Sequence, residues 1–206
     1  MPFNKEQLVG YDQGYLLHKF SMGENTGTHM DAPAHFIKGN LAIDEIPLEK
    51  LVVPIAVIDV QDKVESNPDY QLTADDITAW ESDNGKIAAS TLVVLNTGWH
   101  KRFGKPTQYI NMDDSDVMHF PGYAPDAAEL LVERDIAGIG IDTLSLDYGP
   151  SKDFASHVIM LKANKYQIKN MANLDALPAT GATAIIGVLP VTGGSQAQAR
   201  IFALMP

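Results

Sequence analysis

Between Asn25 and His35 the chain reads Asn-Thr-Gly-Thr-His-Met-Asp-Ala-Pro-Ala-His. Within seven positions His29, Asp31 and His35 supply two imidazoles and a carboxylate. His29 and Asp31 stand at i and i+2, so extended backbone sends both side chains to one face. His35 follows a turn that Pro33 stiffens. Imidazole and carboxylate are the ligand types suited to zinc, manganese or iron. A third ionisable group beside them is what a metal-assisted hydrolase needs as its base. This segment is the candidate active site.

Such a cluster needs strands and turns to hold it. Residues 15–22 read as a strand leading into it, and the β-branched run 51–60 as a second. Pro54 cannot donate to a ladder, so that second strand is either edge-placed there or starts after it. Thr73 is an N-cap, with Asp76 as a short capping-box partner, for a helix running to about Asp83 and stopped by Asn84-Gly85. Residues 91–95 form a buried strand. Residues 100–123 read as a long irregular stretch, which in a compact domain is more often functional than neutral. Pro125 opens a helix that ends near Arg134. A strand at 136–142 carries glycines for close backbone packing. Residues 155–164 form a helix, and 183–189 and 199–204 the final strands. Mixed strands and helices place the fold in the α/β or α+β class.

The composition sets wider limits. A length of 206 residues suits one domain, and 45 % apolar with 20 % charged residues is ordinary for a globular core. A net charge of -11 and a pI near 4.8 repel phosphate backbones and anionic membranes, so neither is an expected partner. With no cysteine, thiolate zinc sites, disulfides and a cysteine nucleophile are excluded. No segment reaches the roughly 18 continuous apolar residues of a membrane span. The first residues lack the apolar core of a signal peptide, so the cytoplasm is the expected location.

The motifs go further than composition. The segment Gly27-Thr28-His29-Met30-Asp31-Ala32-Pro33-Ala34-His35-Phe36 resembles the signature of the cyclase-like metal-dependent hydrolases. That family includes the bacterial kynurenine formamidases and isatin hydrolases. Asn96-Thr97-Gly98-Trp99, Phe120-Pro121-Gly122, Gly138-Ile139-Gly140-Ile141-Asp142-Thr143, Asn173-Leu174-Asp175-Ala176-Leu177-Pro178 and Ala199-Arg200 resemble further family blocks, in the family's order. The resemblance covers the chain from about Tyr15 to its end. It implies an α/β fold of the swivelling β/β/α kind over residues 1–206, and homodimers or homotetramers. The family's N-terminal strand of Asp-Leu-Ser/Thr type is missing, as though the chain were clipped just inside it.

The resemblance also assigns roles. In the family a first histidine, the histidine of Gly-Thr-His and the aspartate hold a divalent metal. The histidine after the proline is the base or proton shuttle. A later histidine, and a glutamate twelve residues beyond it, complete the site and in some members hold a second metal. His29, Asp31, His35 and His157 match these positions. Asn25 stands where the first histidine belongs, and Lys169 where the glutamate belongs. Gln196 and Gln198 replace a glycine and a proline of the family's Gly-Gly-Ser segment.

These departures have physical consequences. An asparagine ligates only through an uncharged carbonyl oxygen. A protonated lysine does not ligate and repels a nearby cation by several kcal/mol at ~4 Å, so a second metal is not expected. Three outcomes stay open: one zinc or manganese ion on His29 and Asp31 with Asn25 or His157 assisting; Lys169 neutralising Asp31 and polarising a substrate carbonyl; or no metal, in a non-catalytic small-molecule-binding relative. A weaker alternative is an assembly subunit. The leading expectation is a metal-dependent hydrolase of a small amide, a formamide of the N-formylkynurenine type, or a cyclic imide or lactam. His35 is its base, and His157 and Lys169 orient the carbonyl. Phe36, Trp99 and Phe120 are candidates to line an apolar substrate pocket, the competing place for each being the core. His18, His100 and His119 are not assigned to the site. Asp142 and Asp147 bracket a strand end and are expected at least equally to cap loops.

Overall fold

The computed structural model describes residues 3–206. In chain order its strands are β1 (Asn4–Val9), β2 (Leu17–Ser21), β3 (His29–Asp31), β4 (Val52–Asp59), β5 (Gln71–Leu72), β6 (Leu92–Asn96), β7 (Gly122–Tyr123), β8 (Gly138–Ile141), β9 (Tyr166–Lys169), β10 (Thr183–Val188) and β11 (Gln196–Leu204). Its helices are α1 (Gln61–Ser66), α2 (Ala74–Asn84), α3 (Pro106–Ile110), α4 (Pro125–Glu133) and α5 (Ala155–Lys162). Seven strands close a barrel in the order β10-β11-β3-β9-β8-β6-β4. β4, β6, β8 and β9 run parallel, while β3 is antiparallel to both β9 and β11. The hairpins β1-β2 and the short pair β5-β7 stand outside it. The expected α/β class with mixed sheets is the fold observed.

Strand periodicity explains the two cores. On β4, Val53, Ile55 and Val57 join Met30, Ile168, Ala184, Ile186 and Ala197 in one cluster, inside the barrel. The alternate residues Ala56 and Ile58 join Val93, Ile139 and Ile141 in a second cluster, beneath Ile77 of α2, Ala127 and Leu131 of α4 and Met160 of α5. Helices cover the outer face of β4, β6 and β8, so those strands are apolar on both faces. Close packing there needs glycines. A Cβ on Gly138 would sit 2.5 Å from the Tyr166 ring, and one on Gly140 2.5 Å from Met171 Sδ.

Several expectations need correction. β4 does not begin after Pro54, but at Pro54 it is edge-placed, paired on one side alone. Residues 52–54 pair with β10 and residues 55–59 with β6, so Pro54 sits where the strand changes neighbours and its missing N–H costs no bond to β6. Residues 100–123 are not irregular throughout. They hold a 3-10 turn at Trp99–Arg102, α3, a bridge between Met112 and Met118, and β7. The last strand starts at Gln196 rather than Ala199, because β3 pairs with residues 196–198. Thr73 and Asp76 form the expected reciprocal cap of α2. No helix among the described residues is long and apolar enough to cross a membrane.

Candidate active site

Barrel register builds the site. β3 is three residues long and is flanked by β9 and β11. Asp31 lies across from Gln167 and Gln196, and His29 across from Lys169 and Gln198. Met30, Ile168 and Ala197 point into the barrel core. The alternate residues therefore emerge together on the outer face of the wall. The 3-10 turn Pro33–His35, with Pro at its start, swings His35 back over that face. α5 packs beside the turn and contributes His157 from its first turn.

The result is a cavity of about 490 Å³ lined by Asn25, His29, His35, Phe36, His157 and Lys169, with Phe154, Asn170 and Gln196 among the remaining walls. Lys169 Nζ donates to Asp31 Oδ2 at 2.5 Å, and Gln196 Nε2 donates to Asp31 Oδ1 at 2.8 Å. His29 Nδ1 lies 2.8 Å from the Gly27 carbonyl, which can only accept. This shorter contact favours the neutral form with its proton on Nδ1 and its lone pair on Nε2, 3.4 Å from Asp31 Oδ1. His157 is fixed the same way. Its Nδ1 meets the Asp147 carboxylate, leaving Nε2 3.7 Å from Asp31 Oδ2. Asp147 also accepts the Ser156 and His157 amides, capping α5 and orienting the ring together.

Charge in the cavity is balanced. Burial works to raise the Asp31 carboxyl, but the Lys169 ammonium and the hydrogen bonds from Lys169 and Gln196 outweigh it and hold the group below the usual carboxylate range. Burial pushes His29, His35 and His157 down, against the pull of Asp31. Three neutral imidazoles thus surround one ion pair, each free to accept a proton or offer a lone pair. Phe36 and Phe154 pack on His157, with ring centroids 5.1 Å and 5.9 Å away, and form an apolar wall.

The sequence-predicted residues divide clearly. Asn25, His29, His35, Phe36, His157 and Lys169 all line the cavity, and Asp31 lies beneath it. Trp99 and Phe120 do not. Both belong to the core under the helices, where Trp99 Nε1 donates to the Tyr109 carbonyl. Their motifs mark them in the sequence, but the segments that follow β6 and precede β7 point both side chains inward. Of the stretch 100–123, Met118 reaches the cavity. His100 is spent on Asp142, and His119 on Asp69 and Asp113. Sequence reasoning missed Gln196 as a site residue, along with Phe154, Asn170 and the Asp147–His157 pair. Gln196 did leave a signal, as a polar residue in place of a glycine.

Among the described residues, no three His, Asp or Glu side chains are grouped to hold a metal ion. A mixed donor set nevertheless fits one. In the Nδ1–H form of His29, the Nε2 lone pair and the Asp31 Oδ1 lone pairs face each other, an opposition that a cation relieves. Turning the Gln196 amide brings its Oε1 to the same point, and Asn25 offers another amide oxygen on the same cavity. Asp31 Oδ2 is already occupied by Lys169.

Comparison with known proteins shows the family. The sequence profile of the family described as putative cyclase matches residues 1–148. The chain belongs to that cyclase family. It is 37% identical over 193 residues to isatin hydrolase from Roseibium aggregatum, covering 90% of this chain and 73% of that protein. It is 30% identical over 153 residues to kynurenine formamidase from Bordetella petrii, covering 73% of this chain and 62% of that one. A crystal structure of an isatin hydrolase bound to the product analogue thioisatinate superposes with a TM-score of 0.94 at 34% identity. That superposition covers 99% of this chain and 82% of the other. In this member of the cyclase family, Asn25, His29, His35, His157 and Lys169 line one cavity, with Asp31 beneath it.

Proposed function

We propose that this chain is a hydrolase of small amides and that its substrate is a cyclic lactam of the isatin type, with a formamide of the N-formylkynurenine type as the second candidate. The observation that carries the reading is the convergence of His29, Asp31, His35, His157 and Lys169 on one cavity of about 490 Å³. Similarity to isatin hydrolase and kynurenine formamidase supports the reaction class.

Each side chain has a task in opening a lactam. Phe36 and Phe154 present an apolar wall suited to a flat ring. Lys169 spends one N–H on Asp31 and keeps two for the substrate carbonyl, where negative charge develops as water adds. His35, neutral through burial, takes the proton from that water and returns it to the departing nitrogen. His157, held by Asp147, keeps an unprotonated Nε2 toward the same space, where it accepts from the attacking water or the lactam N–H rather than orienting the carbonyl. One divalent ion, zinc or manganese, held by His29 Nε2, Asp31 and the amide oxygens of Gln196 or Asn25, would supply Lewis acidity to the reaction. A second ion is disfavoured because the Lys169 ammonium sits on the Asp31 oxygen it would need.

A competing reading is a binding protein that keeps the cavity without turnover. The Lys169–Asp31 pair favours it, since the pair already neutralises the carboxylate. The experiment is isatin and N-formylkynurenine hydrolysis by the purified chain, with and without added manganese or zinc. Metal-stimulated product formation that disappears in His35→Ala supports the enzyme. Tight isatin binding with no product in either metal supports the binding protein. In solution this reading expects a homodimer or homotetramer, which would cover the outward apolar row Val52, Ile185 and Phe202. A monomer by light scattering would contradict that part.

A further inference from the structure

The Gly27 carbonyl is the acceptor that fixes the His29 ring, and it accepts a second bond, from Asn170 Nδ2 at 3.0 Å. Asn170 spends every polar group it has on this junction. Its N–H donates to the Thr143 carbonyl at 3.0 Å, and its own carbonyl accepts from Thr28 Oγ1 at 2.6 Å. Its Oδ1 accepts from Tyr109 Oη at 2.8 Å, and that buried hydroxyl also lies 2.8 Å from the Asp142 carbonyl. The backbone at both ends is in the left-handed region, with φ +72° at Gly27 and +53° at Asn170.

Two acceptors compete for the single ring proton of His29. Asp31 Oδ1, 3.4 Å from Nε2, draws it to Nε2, where it would close the lone pair that faces the cavity. The Gly27 carbonyl, 2.8 Å from Nδ1, draws it to Nδ1. A peptide carbonyl next to a glycine turns readily, because glycine tolerates both signs of φ. What stops it turning here is the Asn170 amide, itself held by Tyr109.

We propose that Asn170, braced by Tyr109, is a positioning residue that aims the Gly27 carbonyl and thereby keeps the His29 lone pair on Nε2, open to the cavity. The proposal rests on the reading of this cavity as the active site. Its test does not, because the tautomer of His29 is observable without metal, substrate or turnover.

Asn170→Gly removes the side chain and keeps the left-handed backbone without strain. Asn170→Asp keeps the shape but offers no donor to Gly27. Tyr109→Phe removes the brace alone. The readout is the pair of ring 15N shifts of His29 in the metal-free protein, above the imidazole titration range, assigned by their loss in His29→Gln. The wild type should show the Nδ1–H form. Asn170→Gly and Asn170→Asp should move it to Nε2–H or a mixture, with a smaller move in Tyr109→Phe. Where turnover is measured, kcat should fall roughly tenfold in Asn170→Asp with KM within about twofold. An unchanged Nδ1–H form in either folded Asn170 variant overturns the proposal, even if the melting temperature or activity has dropped. So does an Nε2–H form in the wild type.

Discussion

Asp31 and Asp142 are both 0% exposed, both lie at strand ends of one barrel, and both face histidines, yet they are satisfied in opposite ways. Asp142 accepts the Thr97 and His100 amides, the Thr97 hydroxyl at 2.6 Å and His100 Nδ1 at 3.0 Å, all from one short loop. None of that set lines the cavity that holds His29, His35 and His157. Asp31 takes no backbone amide through its carboxylate. Its bonded partners are Lys169 and Gln196 side chains, and two imidazole Nε2 atoms approach without bonding. An aspartate tied to amides fixes a loop. One tied to movable side chains around an open space can exchange partners with a ligand.

The largest effect that separates the two regions should come from His35→Ala. Loss of a general base costs roughly 10²- to 10⁴-fold in kcat, while this half-buried side chain should leave the melting temperature nearly unchanged. Asp142→Ala should do the reverse. Stranding His100 and two amides is expected to cost about 3 kcal/mol of stability by chemical denaturation, with turnover per folded molecule little altered. Lys169→Met keeps the volume and removes the ammonium. We expect a fall in kcat of about 10- to 100-fold, in the range of losing one oxyanion donor, together with tighter manganese or zinc binding by titration calorimetry. Weaker metal binding in that variant would contradict the role given to Lys169.

A third aspartate sets the lower end of the scale. Asp76 caps α2 and meets Lys63, Tyr70 and Thr73. Although burial opposes it, these bonds hold its carboxyl down to about 2. Its folded value lies below its unfolded one, so its contribution is complete above the unfolded value near 3.8 and is lost as pH falls toward about 2. Thermal melts should show a wild-type loss in that window which Asp76→Asn reduces. Thr73→Ala should cost about 1 kcal/mol at neutral pH.

Much of this was legible in the sequence, for identifiable reasons. The i, i+2 spacing of His29 and Asp31 predicts one face, and β3 delivers it. The cap at Thr73 and the Pro125 start follow from local chemistry. β3 and β9 were harder, since three or four residues carry too little periodicity and their pairing is set by distant partners. Lys169 and Asp31 are 138 residues apart and meet through barrel register alone. Trp99 and Phe120 failed as pocket residues because an aromatic beside a motif looks the same in sequence whether it faces a cavity or a core. Gln196 was visible as a departure, but its contact with Asp31 depends on where β11 begins.

The central claim is that the Asp31 region, and not the Asp142 region, carries the chemistry. The most direct measurement is isatin turnover, with manganese or zinc present, by wild type, Asp31→Asn and Asp142→Asn, each normalised to folded protein. The wild type should turn isatin over, Asp31→Asn should fall to background and Asp142→Asn should stay near the wild-type rate. Turnover that survives in Asp31→Asn, or that is absent from the metal-supplied wild type, would contradict that claim.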